Sequence, residues 1–370
     1  MLLLTPGPTA VPEKIRVAMS EPTIHHRTPE FSEILRQTRE KLKKVFGLDE
    51  VLLLSSSGTG AMEACVTNFC HKKALSINAG KFGERFGKIV QAFGLELVEL
   101  KYKWNTPAKV ADVKNALQQN SDIDALFIQI CESAGGLRHP VEEIAKIAKE
   151  INPDILVVAD GITAVGVEKI DVSYIDVLIS GSQKAFMLPP GLSMVGLSEF
   201  AIEKIESKSF GYYFNLASEL KKQRQNTTAW TAATTLIIGL NAMLDEILDI
   251  GLDNFYEITK KRGKATLEAL KSIGFDIYPK TPAIAMNTVY NKKADEIRKV
   301  LKDKYKVNIA GGQDHLKGNL FRINNMGIIK PYETIWVLNA LELILDEMGE
   351  REYDGVGSKI FSEVYFKNDI

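Results

Sequence analysis

Cysteine is scarce. The chain of 370 residues holds three, Cys65, Cys70 and Cys131, and no Cys-x-x-Cys pair. Neither a disulfide framework nor a zinc ribbon is available. Histidine is nearly as scarce, at five. His25-His26 has no third ligand at a recognisable spacing, so no metal site is expected. No sign of charge dominates, with 46 Lys and Arg against 47 Asp and Glu. That balance excludes the broad basic field that nucleic acid or anionic lipid would need. Apolar runs are short. None approaches the roughly 18 residues that span a bilayer, and a long one, Leu236–Leu244, is broken by Gly239 and Asn241. The opening MLLLTPGPTAVPEK has no basic leader region and meets proline early. It is not read as an export signal, and a cytoplasmic location is expected.

What is present is the texture of a layered enzyme. Thr28 and Pro29 suit the cap and first position of a helix. Phe31, Ile34, Leu35, Leu42, Val45 and Phe46 follow at helical spacing, and Gly47 is the stop. Short apolar strands then alternate with helices. Strands are expected at Val51–Leu54, Ala74–Asn78, Glu96–Leu100, Ala125–Ile130, Ile155–Ala159, Val177–Ser180 and Ser193–Leu197. Continuous apolar strands between helices predict an α/β protein with a mainly parallel sheet covered on both faces. From about residue 255 the pattern becomes that of a smaller α+β lobe. The length itself favours two lobes.

Three strand ends carry candidate chemistry. Ser57-Gly58-Thr59 lies between a strand and a helix start, where free N–H groups favour a phosphate. It lacks the lysine of a Walker loop, and an ordinary capped turn remains the alternative. Asp160 directly follows a buried strand, at the edge where open α/β sheets bind ligands; alone it would also serve as a helix cap. Lys184 follows the Val177–Ser180 strand through Gly181-Ser182-Gln183. Desolvation there would lower its pKa and favour Schiff-base chemistry, against the usual fate of a surface lysine. Phosphate cup, acid and lysine together match one cofactor, pyridoxal 5′-phosphate. Asp160 would keep its ring nitrogen protonated and Lys184 would hold its aldehyde.

The stretch Asp176-Val-Leu-Ile-Ser-Gly-Ser-Gln-Lys184, followed by Pro189-Pro-Gly191-Leu-Ser193, resembles the cofactor-attachment signature of class V pyridoxal-phosphate aminotransferases. The serine–pyruvate and alanine–glyoxylate enzymes are the members it is most similar to. Further similarity lies at Thr5-Pro-Gly-Pro-Thr9, Asn78–Arg85, Glu132-Ser133, Asp160-Gly-Ile162 and Leu320-Phe-Arg322. The resemblance implies fold type I, a large domain with a mainly parallel seven-stranded sheet plus a smaller α+β C-terminal domain. Its expected bounds are an N-terminal arm at 1–20 joining the small domain, a large cofactor-binding domain at 21–254, and a small domain at 255–370.

The resemblance also implies roles. Ser57, Gly58, Thr59 and Gln183 would bind the phosphate. Phe82 would stack on one ring face, where the family often has Trp, and Ile162 would pack on the other. Ser133 would approach the ring's 3′ oxygen. Arg322 would bind the substrate α-carboxylate, with Gly7 beside the substrate. Thr228 and Thr231 would mark an element that reaches the phosphate of a second subunit, so a homodimer is implied. Prolines expected in that element are replaced by Ala229 and Ala232. The expected reaction is transfer of an amino group from a small amino acid (alanine, serine or aspartate) to a 2-oxo acid (glyoxylate, pyruvate or 2-oxoglutarate). An aminophosphonate transaminase or a lyase is the alternative within the class. A desulfurase is disfavoured because no cysteine follows Cys131. A nucleotide-binding protein without catalysis is the reading outside it. Trp104, Trp230 and Cys131 are expected to pack rather than react.

Overall fold

The structure, a computed structural model, describes residues 1–367; residues 368–370, the end of the expected small domain, lie outside the described residues. The first long helix spans Pro29–Phe46. Thr28 accepts from the Phe31 N–H at 3.3 Å, and Gly47 closes the helix at φ 67°. That left-handed conformation is one that glycine adopts without a Cβ penalty.

Seven strands form the main sheet: β1 (Glu50–Leu54), β2 (Lys73–Asn78), β3 (Glu96–Lys101), β4 (Ala125–Gln129), β5 (Leu156–Asp160), β6 (Val177–Gly181) and β7 (Ser193–Leu197). Their order is β1-β7-β6-β5-β4-β2-β3. β7 runs antiparallel to both neighbours, and the remaining pairs are parallel. Alternation along each strand feeds two cores. Val51, Leu53, Leu126, Ile128 and Val157 enter one; Leu52, Leu54, Phe127, Leu156 and Val158 enter the other. Burial on both faces is why these strands read as unbroken apolar runs. It also leaves their carboxyl ends as the place where polar groups can gather.

A second, antiparallel sheet lies in the C-terminal part. Its strands are β8 (Asp276–Ile277), β9 (Met286–Tyr290), β10 (Ala310–Gly311) and β11 (Leu320–Asn324), in the order β8-β9-β11-β10. Its own core includes Leu4, Phe321, Val337, Leu341 and Phe361. The N-terminal segment is divided between the lobes. Leu2–Leu3 pairs with Val307–Asn308, and Leu4 is buried in the small lobe, whereas Ile15 is buried in the core of the large one. The segment 307–311 is split between two sheets. Val307–Asn308 pairs with the arm, and Ala310–Gly311 pairs with β11.

The helix Val356–Phe366 has no counterpart in the sequence reading. Its start has no side-chain cap of its own. Glu342 supplies the acceptors from another helix, taking the Gly355 N–H at 2.9 Å and the Gly357 N–H at 2.5 Å while its side chain is fully buried. Glu342→Leu would strand both donors. Because an unsatisfied buried donor costs about 1–3 kcal/mol, the variant should lose about 2–4 kcal/mol in urea unfolding.

Candidate functional site

The site is built where β1, β5 and β6 end. β1 passes through Ser55–Ser57 into the helix Gly58–Phe69, and Ser57 is its N-cap in extended conformation, with no side-chain bond to the helix. The first N–H groups of that helix therefore point outward at one spot. β5 ends on Asp160, which is 4 % exposed and accepts the Ile162 N–H at 2.9 Å. Burial raises the Asp160 carboxyl to about 6, against the Ile162 N–H and the positive charges of Lys184 and Arg85. Beyond β6, Lys184 donates from Nζ to the Pro6 carbonyl at 2.6 Å. Burial lowers its ammonium to about 8, helped by Arg322 and Arg85 and opposed by Cys131 and Asp160. The lysine expected from the strand-end argument is thus desolvated, for the reason expected.

A cavity of about 120 Å³ joins these groups. Ser57, Gly58, Thr59, Phe82, Ser133, Asp160, Ile162, Gln183 and Lys184 all line it. Two glycines make room. A Cβ on Gly58 would sit 2.4 Å from Ile162 Cδ1, and one on Gly7, at φ 122°, would sit 2.3 Å from Lys184 Nζ. Gly7 therefore lets the N-terminal arm cross directly over the lysine. Thr9 holds the arm there, donating from Oγ1 to the Lys184 carbonyl at 2.8 Å.

Arg322 comes from β11 of the other lobe and does not line the cavity itself. It stands behind Ser133, donating from Nη1 to the Ser133 carbonyl at 2.6 Å and from Nη2 to the Gly311 carbonyl at 2.7 Å. Its Nε is buried without a hydrogen-bond partner among the described residues. Thr228 and Thr231 lie elsewhere on the chain. They border a separate hollow with Ser55, Tyr213 and Trp230. The Thr228 hydroxyl donates to the Trp230 carbonyl at 2.6 Å, and Thr231 is exposed. A chain therefore does not bring these threonines to its own cavity. Arg27 pins their loop, donating from Nη1 to Thr227 Oγ1 at 2.6 Å and to the Thr228 carbonyl at 2.7 Å. No group of three metal-ligating side chains occurs among the described residues.

Sequence reasoning passed over Arg85. It lines the cavity, donates to Thr59 Oγ1 at 2.8 Å and lies 4.8 Å from the centre of the Phe82 ring. Its signal was its place three residues beyond Phe82, on the same helix face. Cys131 also borders the cavity, but burial pushes its thiol up to about 12, so it stays protonated. Trp104 packs its edge on His315 across the lobes, 4.6 Å between centres.

These residues fit pyridoxal 5′-phosphate. A helix start flanked by hydroxyls suits its phosphate, and a buried acid suits its ring nitrogen. A depressed lysine suits its aldehyde, and the Gln183 side chain borders the same cavity. The profile of aminotransferase class-V matches residues 11–331. The chain belongs to the class-V aminotransferases. An uncharacterized aminotransferase of Helicobacter pylori strain 26695 is 52 % identical over 99 % of this chain and 100 % of its own. A serine–glyoxylate aminotransferase of Methylorubrum extorquens is 27 % identical, covering 100 % of this chain and 96 % of its own. The structure of a subgroup IV aspartate aminotransferase from Thermus thermophilus superposes with a TM-score of 0.88 at 33 % identity, over 94 % of this chain and 99 % of the other. The fold is type I, and the cofactor of this aminotransferase is pyridoxal phosphate.

The depressed lysine has a pH signature. In the cofactor-free aminotransferase, Lys184 should react with trinitrobenzenesulfonate with a half-maximal rate near pH 8. An ordinary lysine would reach that point near pH 10.4. Peptide mapping across pH checks this, since the ammonium present below the midpoint does not react.

Proposed function

We propose that this aminotransferase moves the amino group of a small α-amino acid, alanine, serine or aspartate, to glyoxylate, pyruvate or 2-oxoglutarate in two half-reactions at one site. The observation that carries this reading is that an amine and a guanidinium from different lobes both come to Ser133: Lys184 lines the cavity with it, and Arg322 donates to its carbonyl. An amine that is readily deprotonated suits proton transfer, and a buried guanidinium suits an α-carboxylate. Arg85 sits at Thr59, on the phosphate side of the cavity, and Arg27 sits at the 227–228 loop; neither is assigned a second carboxylate, which favours short side chains. The names of the serine–glyoxylate and aspartate relatives agree with this class.

We assign the following roles, which the geometry around Lys184 supports. When bound, the cofactor supplies an aldehyde for the amino group and a ring that draws electrons from the α-carbon. Lys184 Nζ takes the substrate's α-proton and later returns it. Asp160 supplies the carboxylate that keeps a proton on the ring nitrogen. Ser57, Gly58, Thr59 and Gln183 bind the phosphate, and Ser133 approaches the ring hydroxyl. Phe82 and Ile162 hold the two ring faces and exclude water. Arg322 holds the carboxylate, and Gly7 leaves the approach to Lys184 clear. Thr228 and Thr231 reach the phosphate of a partner subunit in a homodimer working in the cytoplasm.

Lys184→Ala should lose at least about 1,000-fold in turnover, since attachment and proton transfer both fail. Arg322→Lys should raise KM for the amino donor about 10- to 100-fold with a smaller effect on kcat, because an ammonium cannot replace a bidentate fork. A panel of amino donors against the three 2-oxo acids tests the substrate class. Preference for a donor without an α-carboxylate would sink it.

A further inference from the structure

Lys184, Asp160 and Arg322 leave one acid of the site without a role. Glu132 is fully buried in the two-residue strand Cys131–Glu132. A buried carboxylate needs donors to be tolerated, and this one has three, all from the backbone. Oε2 accepts the N–H groups of Phe82 at 3.0 Å and Gly83 at 2.9 Å. Oε1 accepts the Ala134 N–H at 3.0 Å.

The first two donors belong to the opening turn of the helix Lys81–Ala92. Its N-cap is Gly80, which has no side chain to offer. A Cβ on Gly80 would stand 2.4 Å from Glu132 Cδ. The local cap has been given up so that a carboxylate from another strand can take its place, where the helix dipole also favours it. The third donor secures the turn that carries Ser133. The carbonyl of Ser133 is the acceptor that holds Arg322 Nη1. One carboxylate thus grips the backbone of Phe82 with one oxygen and the seat of Arg322 with the other. Its charge also opposes the burial that lowers the Arg322 guanidinium to about 10.

We propose that Glu132 is a positioning residue that sets the spacing between the Phe82 ring platform and Arg322, and so holds cofactor and substrate carboxylate in register. The inference rests on the roles given above to Phe82 and Arg322. A carboxylate suits the task because all its lone pairs accept. An amide in its place must turn an NH₂ group toward Oε1's or Oε2's donors. In one orientation the Ser133 turn loosens, and in the other the Phe82 turn does.

The test compares Glu132→Gln with wild type, using Glu132→Ala as the harsher variant. Glutamine keeps the volume, so it guards against simple failure to fold. Titration of the cofactor-free protein with pyridoxal phosphate, followed by absorbance, measures the cofactor Kd. Steady-state kinetics of the cofactor-saturated protein give KM and kcat for the amino donor, and thermal unfolding reports the fold. In folded Glu132→Gln, cofactor Kd and donor KM should both rise about tenfold, as expected for a misplacement within about 1 Å, while kcat changes less than KM. A purely structural cap would lower the unfolding midpoint and leave Kd and KM in place. That result, or movement of only one of the two constants, overturns the proposal. Arg322→Lys is measured alongside. A KM rise there, with none in Glu132→Gln, removes the bridge alone; no rise there removes the role of Arg322 and the bridge with it.

Discussion

Desolvation at the carboxyl ends of the parallel strands is the constraint on which the site depends. Asp160 and Glu132 are buried there and Lys184 is half-buried, and desolvation moves each toward its neutral form. Asp160 rises to about 6, Glu132 to about 7 and Lys184 falls to about 8. Such groups persist only because donors and opposite charges meet them. For Asp160 these are the Ile162 N–H, Lys184 and Arg85; for Glu132 they are backbone N–H groups. An environment that makes charge costly also makes a proton easy to move near neutral pH, which suits the proton transfer proposed for Lys184.

The second requirement is that two lobes meet over the sheet edge. Arg322 reaches the Ser133 carbonyl, Lys81 pairs with Asp314 at 2.8 Å, and the Arg138 N–H meets the Thr281 carbonyl at 2.9 Å. The arm adds a further tie, with Leu2–Leu3 on the small lobe and Pro6 and Gly7 against Lys184. The lobe that holds the cofactor residues and the lobe that holds Arg322 are thus joined by contacts that surround the cavity. Lys81–Asp314 is partly exposed and is of small worth by itself. The buried contact of Arg322 is the one whose geometry the substrate would read.

Much of this was legible from residue patterns. The main strands lie where apolar runs lie, because both faces of the sheet are covered. The Thr28 and Gly47 signals bound their helix because a hydroxyl cap and a left-handed stop are local needs. Lys184 and Asp160 could be singled out because each, open to a bland reading alone, joins the Ser57–Thr59 turn at the strand ends of one sheet. The helix Val356–Phe366 was not legible, since its cap is supplied by Glu342 from another helix. The division of the segment 1–20 was equally hidden, because it depends on which core Leu4 and Ile15 each find. Arg85 was left without a role in the site because an arginine on an amphipathic helix ordinarily faces solvent.

The sequence alone determined the alternation of strands and helices and the class of cofactor, and it put forward a residue to hold it. These rest on short-range chemistry: periodicity, caps, and residue types at strand ends. Tertiary structure alone decided that Gly7 lies over Lys184, that Thr228 and Thr231 stay away from their own chain's cavity, and that Glu132 links Phe82 to Ser133. The reason is distance along the chain. Contacts between residues 7 and 184, or 133 and 322, leave no periodic trace, and only packing the two lobes together brings those atoms within reach.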